Sequence, residues 1–300
     1  VEDTKSVIAV TNGTIAIQLL AQAFNTDDIE VQWATQSFTF PPSNQCNLRN
    51  SRILDIDVSG GINIKDVDES IGGIIVTNIF GNVVDINKYQ EWCENKGKKL
   101  IFDNAATAFT FYKGRNCVNY GNGCSISFHH TKPFGFGEGG AIIVDKEYEN
   151  RIRSMVNFGY GLYSNFSQYY EWGCNGKMSD ISAAYILQYL DTKFHTIVEK
   201  HRALYKYFKD EINRRNICHV KLFPSFHDEG KNVPACFSLL FDEYDDTYEK
   251  RILDAGIFCR KYYHPLKELP VAAQVFRDIL CIACTTEMTT QHIDTIINLL

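Results

Sequence analysis

No apolar run in this sequence reaches the ~18 residues of a membrane-spanning helix, so no membrane span is expected. Positive charge is not in excess either: 30 Lys and Arg stand against 36 Asp and Glu, a net charge of −6. A protein whose main task is to coat DNA or RNA is therefore not expected. A nucleotide-containing small molecule stays open, because one pocket needs only local positive charge. The start, Val1-Glu2-Asp3-Thr4-Lys5, does not read as a signal peptide, and without Met it leaves a fragment open. The ten cysteines follow no regular spacing. The lone CxxC, Cys281 and Cys284, has no second pair with which to hold zinc and no helix start for a thioredoxin-like site. The cysteines read as reduced thiols of a cytoplasmic protein, with no metal expected. There is no internal repeat and no low-complexity segment.

What is present is a chain of 300 residues, long enough for two domains at about 100–200 residues each. Its 45% hydrophobic and 22% charged residues exclude disorder as the dominant state. Residues 14–24 carry apolar positions at helical spacing, and 52–58 alternate like a strand. Residues 73–80 form the near-continuous apolar run of a buried parallel strand. A helix from 85 to about 96 comes next, then strands at 99–103, 124–129 and 140–145. This is an α/β pattern with a mostly parallel sheet. Residues 178–213 contain neither Pro nor Gly and predict a long helix, broken at most once, leading out of the large domain. Strands at 236–242 and 257–263, with helices near 246–255, 271–280 and 289–299, predict a smaller α+β domain. The boundary is placed at 192, giving domains of 1–192 and 193–300.

Three segments carry candidate chemistry. In residues 125–140, two apolar strands flank a loop with Lys132 and four glycines. A lysine fixed there and desolvated becomes a nucleophile for a carbonyl; the plainer reading is a surface lysine in a glycine-rich turn. The loop is not a P-loop, since Lys132 precedes the glycines. His129 and His130, adjacent on a strand, would point to opposite faces and not chelate one ion. Asn12-Gly13-Thr14 opens the first helix, which makes either an anion seat or an ordinary N-cap. Asp103 ends a buried strand, where open α/β sheets bind ligands, or else it caps the next helical turn.

Together these segments resemble the DegT/StrS family of pyridoxal-phosphate sugar aminotransferases. Ser127 to Ile142 (SFHHTKPFGFGEGGAI) match the family's lysine block almost throughout. Asn12 to Ile17 (NGTIAI), Ser37 to Phe40 (SFTF), Ile74 to Asp85, Gly173 to Ser179 (GCNGKMS) and Arg260 to Leu266 (RKYYHPL) resemble further blocks in order. The resemblance implies the fold-type I transferase architecture, with a cofactor of pyridoxal 5'-phosphate alternating with its pyridoxamine form. It implies a homodimer with active sites at the interface. Carried over by position, Lys132 is the Schiff-base lysine. Gly13, Thr14 and Ser127 hold the phosphate, and Asn175 reaches it from the partner subunit. Phe40 stacks near the ring. Asp103 pairs with the pyridinium nitrogen, so that the ring acts as an electron sink. Lys177, Tyr263 and His264 are candidate contacts for the sugar or its diphosphate.

The implied reaction is amino transfer, with glutamate as donor, to a nucleotide-linked 4-keto-6-deoxy sugar. The alternatives are a sugar dehydratase on the same scaffold, in which relatives replace the lysine by His, or a non-catalytic remnant or sensor. Two departures from the pattern stand out. Ala106 occupies a place where the family often has Gln or His, and a shifted register would set Asn104, not Asp103, against the ring. The stretch before the NGT block is shorter than in the family, which implies a truncated or reduced N-terminal part.

Overall fold

The computed structural model describes residues 1–26, 29–161 and 172–300. The N-terminal part runs β1 (Lys5–Val10), α1 (Gly13–Ala23), β2 (Trp33–Gln36), β3 (Arg52–Leu54), β4 (Gly73–Thr77), α2 (Ile86–Lys96) and β5 (Lys99–Asp103). The short strands β6 (Phe111–Tyr112) and β7 (Arg115–Asn116) pair with each other, and β8 (Gly123–Ser127), β9 (Gly140–Asp145) and α3 (Glu149–Val156) come after them. Seven of these strands form one sheet in the order β1-β9-β8-β5-β4-β2-β3. Pairing is parallel from β8 through β5, β4 and β2 to β3. β9 runs antiparallel to both β8 and β1, so β1 points the same way as β8.

The sheet is covered on both faces, which is why its central strands read as unbroken apolar runs. Side chains alternate across it. Ile74, Val76, Leu100 and Phe102 join one core, while Ile75 and Ile101 join the core on the other face with α1. α1 starts where it does because Asn12 Oδ1 accepts from Ile15 N at 2.9 Å. α2 stops at Gly97, whose φ of 62° suits a residue without Cβ.

α4 (Asp180–Arg214) is one continuous helix of 35 residues, capped by Ser179. At 1.5 Å per residue it is about 52 Å long. Its Ile197 and Val198 pack in the first core, and Leu204, Tyr205, Phe208 and Ile212 in a third. The C-terminal part continues with β10 (Val220–Leu222), β11 (Cys236–Phe241), α5 (Asp246–Asp254), β12 (Cys259–Arg260), α6 (Pro270–Asp278), β13 (Ile279–Ala283) and α7 (Thr290–Leu299). Its antiparallel sheet has the order β10-β11-β13-β12.

The α/β architecture follows the sequence pattern, with local differences. The strand expected over 52–58 is regular only at Arg52–Leu54, with Ile56 bridging Ile62, the one over 124–129 ends at Ser127, and the one over 257–263 pairs only at Cys259–Arg260. The expected helix near 271–280 ends at Asp278, and the adjoining Ile279–Ala283 is a central strand. The possible break in the long helix is absent.

Candidate active site

A cleft of about 900 Å³ opens where the parallel strands end. Thr77 of β4, Asp103 of β5 and Ser127 of β8 all line it. This is the carboxyl edge of the sheet, the usual ligand side of an open α/β fold. The first turn of α1 closes one side, and residues of the small sheet, among them Cys236 and Cys281, close the other.

Gly13 and Thr14 begin α1 and line the cleft. Their N–H groups have no acceptor within the helix, and the positive end of its dipole faces the cleft. Ser127 lies against them: a Cβ on Gly13 would sit 2.9 Å from Ser127 Cβ. Ser127 Oγ accepts from His129 N at 3.2 Å, which leaves its own proton to give away. Gly140 is packed behind this turn so closely that a Cβ there would lie 2.4 Å from Asn12 C. Two backbone donors and two hydroxyls thus converge beside a helix start, a donor set suited to a phosphate.

Lys132 is held in a tight turn, with Lys132 N donating to His129 O at 2.8 Å and Gly135 N to Lys132 O at 2.9 Å. Burial pulls its amine below the ordinary lysine range, and the charges of Asp103 and Cys236 partly oppose that pull. Asp103 is buried and accepts from Ala105 N and Ser125 Oγ, both at 3.0 Å. Burial raises its carboxyl, against those two hydrogen bonds and Lys132. A buried carboxylate that accepts only two such bonds is suited to a cationic partner such as a protonated ring nitrogen. Asn104 is buried and does not line the cleft. Its Oδ1 accepts from Asn78 at 2.7 Å and its Nδ2 donates to Cys117 O at 3.3 Å.

Phe40 and Tyr263 line the cleft together. The Tyr263 ring lies 5.5 Å from Phe40 and 5.2 Å from Phe80. Ala106 lines it as well. Asn175, Lys177 and His264 do not. Asn175 is exposed and bridges Asn157. Lys177 is exposed, donates to Asn157 Oδ1 at 3.0 Å and lies 4.3 Å from the Phe158 ring centroid. His264 is exposed with its ring 4.3 Å from Phe276. The sequence reading missed Thr77, Asn78, Cys236 and His201, all in the cleft wall. Thr77 and Asn78 end the apolar run of β4 as Asp103 ends that of β5, so the same strand-end rule could have found them. His201 and Cys236 had no such signal. Among the described residues no cluster of His, Cys, Asp and Glu could hold a metal, and no helix is long and apolar enough to cross a membrane.

A phosphate seat, a buried carboxylate and a desolvated lysine in one cleft fit pyridoxal phosphate, which carries a phosphate, a basic ring nitrogen and an aldehyde. Comparison with known proteins agrees. Residues 2–300 match the DegT/DnrJ/EryC1/StrS aminotransferase family. A dTDP-4-amino-4,6-dideoxy-D-glucose transaminase of Shigella dysenteriae is 24% identical over 320 aligned positions, covering 96% of this chain and 83% of that one. A putative PLP-dependent aminotransferase from Bacillus cereus superposes with a TM-score of 0.85 at 20% identity, over 99% of this chain and 86% of its own. A GDP-4-keto-6-deoxy-D-mannose-3-dehydratase from E. coli superposes at 0.82 with 17% identity, over 99% and 88%, so fold alone does not separate the two chemistries. The chain belongs to the DegT/DnrJ/EryC1/StrS aminotransferase family, and its cofactor is pyridoxal 5'-phosphate.

Proposed function

We propose that this protein transfers an amino group from glutamate to a nucleotide-linked keto sugar, a 4-keto-6-deoxy sugar in the first instance. The observation that carries this reading is Lys132, fixed in the cleft with a lowered amine and facing the charge of Asp103. The cofactor supplies an electron sink that stabilises negative charge at the carbon bearing nitrogen. Gly13, Thr14 and Ser127 hold its phosphate, and Asp103 keeps its ring nitrogen protonated. Phe40 and Tyr263 form the aromatic wall beside it. Lys132 Nζ moves the proton at the reacting carbon as general base and then acid, a task its lowered pKa favours. The retained lysine supports amino transfer over the dehydratase chemistry, in which relatives replace it.

The homodimer is part of the proposal. Asn175 and Lys177 lie outside the cleft of their own chain, next to the start of α4, which exposes Ile181 and Tyr185 one turn apart and Leu187 farther round the helix. Exposed apolar side chains of this kind suit a second copy. There Asn175 would reach the partner's phosphate seat, Lys177 a substrate diphosphate, and His264 the outer part of the sugar nucleotide. The two-domain division at 192 belongs to the same reading.

The test is the absorption spectrum of the protein loaded with pyridoxal phosphate, before and after glutamate, beside Lys132→Ala. A visible band that glutamate bleaches, and that the variant lacks, is the expected outcome. A band that glutamate leaves unchanged would overturn amino transfer. Gel filtration of the loaded protein checks the dimer, and a monomer that keeps its full cofactor would count against the shared site.

A further inference from the structure

His201 belongs to α4 and has 2% of its surface exposed, yet it lines the same cleft. Its Nδ1 lies 2.8 Å from Pro234 O. A carbonyl oxygen only accepts, so Nδ1 carries the ring proton. Burial holds the imidazole below its ordinary pKa, against the pull of that same bond. The ring is therefore neutral, and its Nε2 is a bare acceptor. Among the described residues none donates to Nε2. Pro234 lies two residues before Cys236, whose thiol is near enough to Lys132 to influence its charge. The cleft wall here continues through Ala235, Cys284 and Thr285. An acceptor of fixed tautomer, on a ring that lines the same cleft as the lysine, asks for a donor from the ligand.

We infer that His201 is a specificity-determining residue that accepts a hydrogen bond from a hydroxyl of the sugar. The inference rests on the nucleotide-sugar reading. Carboxylates and ionised phosphates offer acceptors alone, so the lone pair of Nε2 turns them away. Neither the glutamate carboxylates nor the diphosphate is a partner for it. The α-amino group of glutamate is consumed at the reacting carbon. What remains are neutral donors, and of these the hydroxyls of the sugar are the ones carried next to the reacting carbon. A site built around such a bond discriminates strongly, because the analogue without the hydroxyl leaves a buried acceptor unpaired.

The experiment uses the holoenzyme in single turnover, with the visible band of the bound cofactor as readout. The probes are glutamate and dTDP-4-amino-4,6-dideoxy-D-glucose, the latter run as amino donor, with its 2-deoxy and 3-deoxy analogues. His201→Asn keeps an N–H for Pro234 O and loses the outer acceptor. His201→Gln places an oxygen near Nε2 and loses the inner donor. In His201→Asn, kcat/KM for the amino sugar should fall about 10-fold relative to that for glutamate, mostly through KM. One deoxy analogue should react about 10-fold more slowly than the parent in the wild type and no more slowly than the parent in His201→Asn. His201→Gln should recover part of the loss. An equal fall for glutamate and amino sugar would reduce His201 to a clip between α4 and the start of β11 and overturn the inference. If His201→Asn fails to load cofactor, the wild-type analogue series decides: two analogues that react like the parent overturn it. A wild type that glutamate bleaches but the amino sugar does not would defeat the sugar reading itself, and the role of His201 with it.

Discussion

Replacing Gly140 by Ala should cripple cofactor binding without altering any side chain assigned to the cofactor. Gly140 begins β9, opposite Val10, and its Cα faces the backbone of the turn into α1. The new methyl would meet Asn12 C at 2.4 Å, Asn12 O at 2.5 Å and Gly13 N at 2.8 Å. All three are backbone atoms, so no rotamer change relieves the clash. Ordinary contact requires the first turn of α1 to move by about 1 Å, a strain that costs about 1–3 kcal/mol of stability. That is a fall in Tm of roughly 2–6 °C for a chain of this size. The same movement misaligns the N–H groups of Gly13 and Thr14. Charge-assisted hydrogen bonds contribute about 1.5–3 kcal/mol each, and losing half of two of them costs about 1.5–3 kcal/mol. Kd for pyridoxal phosphate should then rise about 10- to 150-fold. Gly97→Ala is the control. Gly97 has φ of 62° and nothing within 4 Å of a built Cβ, so Ala costs about 1 kcal/mol of backbone strain there and nothing else. Absorbance titration gives Kd and thermal melting gives Tm. If Gly140→Ala binds the cofactor within threefold of wild type, or Gly97→Ala weakens it equally, the assignment of the α1 turn as the phosphate seat is wrong.

Other consequences are open to measurement. Asp103→Asn should lower kcat at least 100-fold, on the scale of losing one preorganised electrostatic group. The cofactor-free variant should melt no lower than wild type at pH 7. The carboxyl of Asp103 is raised on folding, so its ionisation opposes the fold above the unfolded value near 3.9, and any gain in the variant should disappear below about pH 4. A large loss of Tm at pH 7 would refute this. Glu211, bridged to Arg214 and Arg215, is lowered to about 2, chiefly by its hydrogen bond to Arg214. Its contribution is present above the unfolded value near 4.3 and lost as pH falls toward about 2, so Glu211→Gln and wild type should converge in Tm over that interval. A Tm difference that persists unchanged to pH 2 would show that the bridge is not its cause.

The sheet strands at 99–103 and 140–145 were legible because each is a short apolar run with a sharp end, and a strand buried on both faces leaves that trace. Ile279–Ala283 was not. Its five apolar residues adjoin a helix directly, and periodicity cannot tell so short a run from one more turn. The reading of 257–263 failed for the opposite reason: the sequence has strand propensity, but only Cys259 and Arg260 find a partner strand. At the site, loop and strand-end positions were readable, since Lys132, Asp103, Ser127 and Thr14 announce themselves by their flanking pattern. His201 was hidden, because inside 35 residues of helix one histidine carries no sign of what stands opposite it. Tyr263 and His264 are neighbours in sequence, yet the first faces the cleft and the second faces solvent.

The length of α4 has a thermodynamic consequence. One helix supplies side chains to the core beneath the large sheet and to the core of the small one. Fraying it from the C-terminal end removes Leu204, Phe208 and Ile212 from the small core, and fraying it from the N-terminal end to past its midpoint removes Ile197 and Val198 from the other. Opening that passes residues 198–204 from either end strips side chains from both cores. The two regions therefore share one foldon, and the slowest-exchanging amides of the protein should include the middle of α4, around residues 197–208.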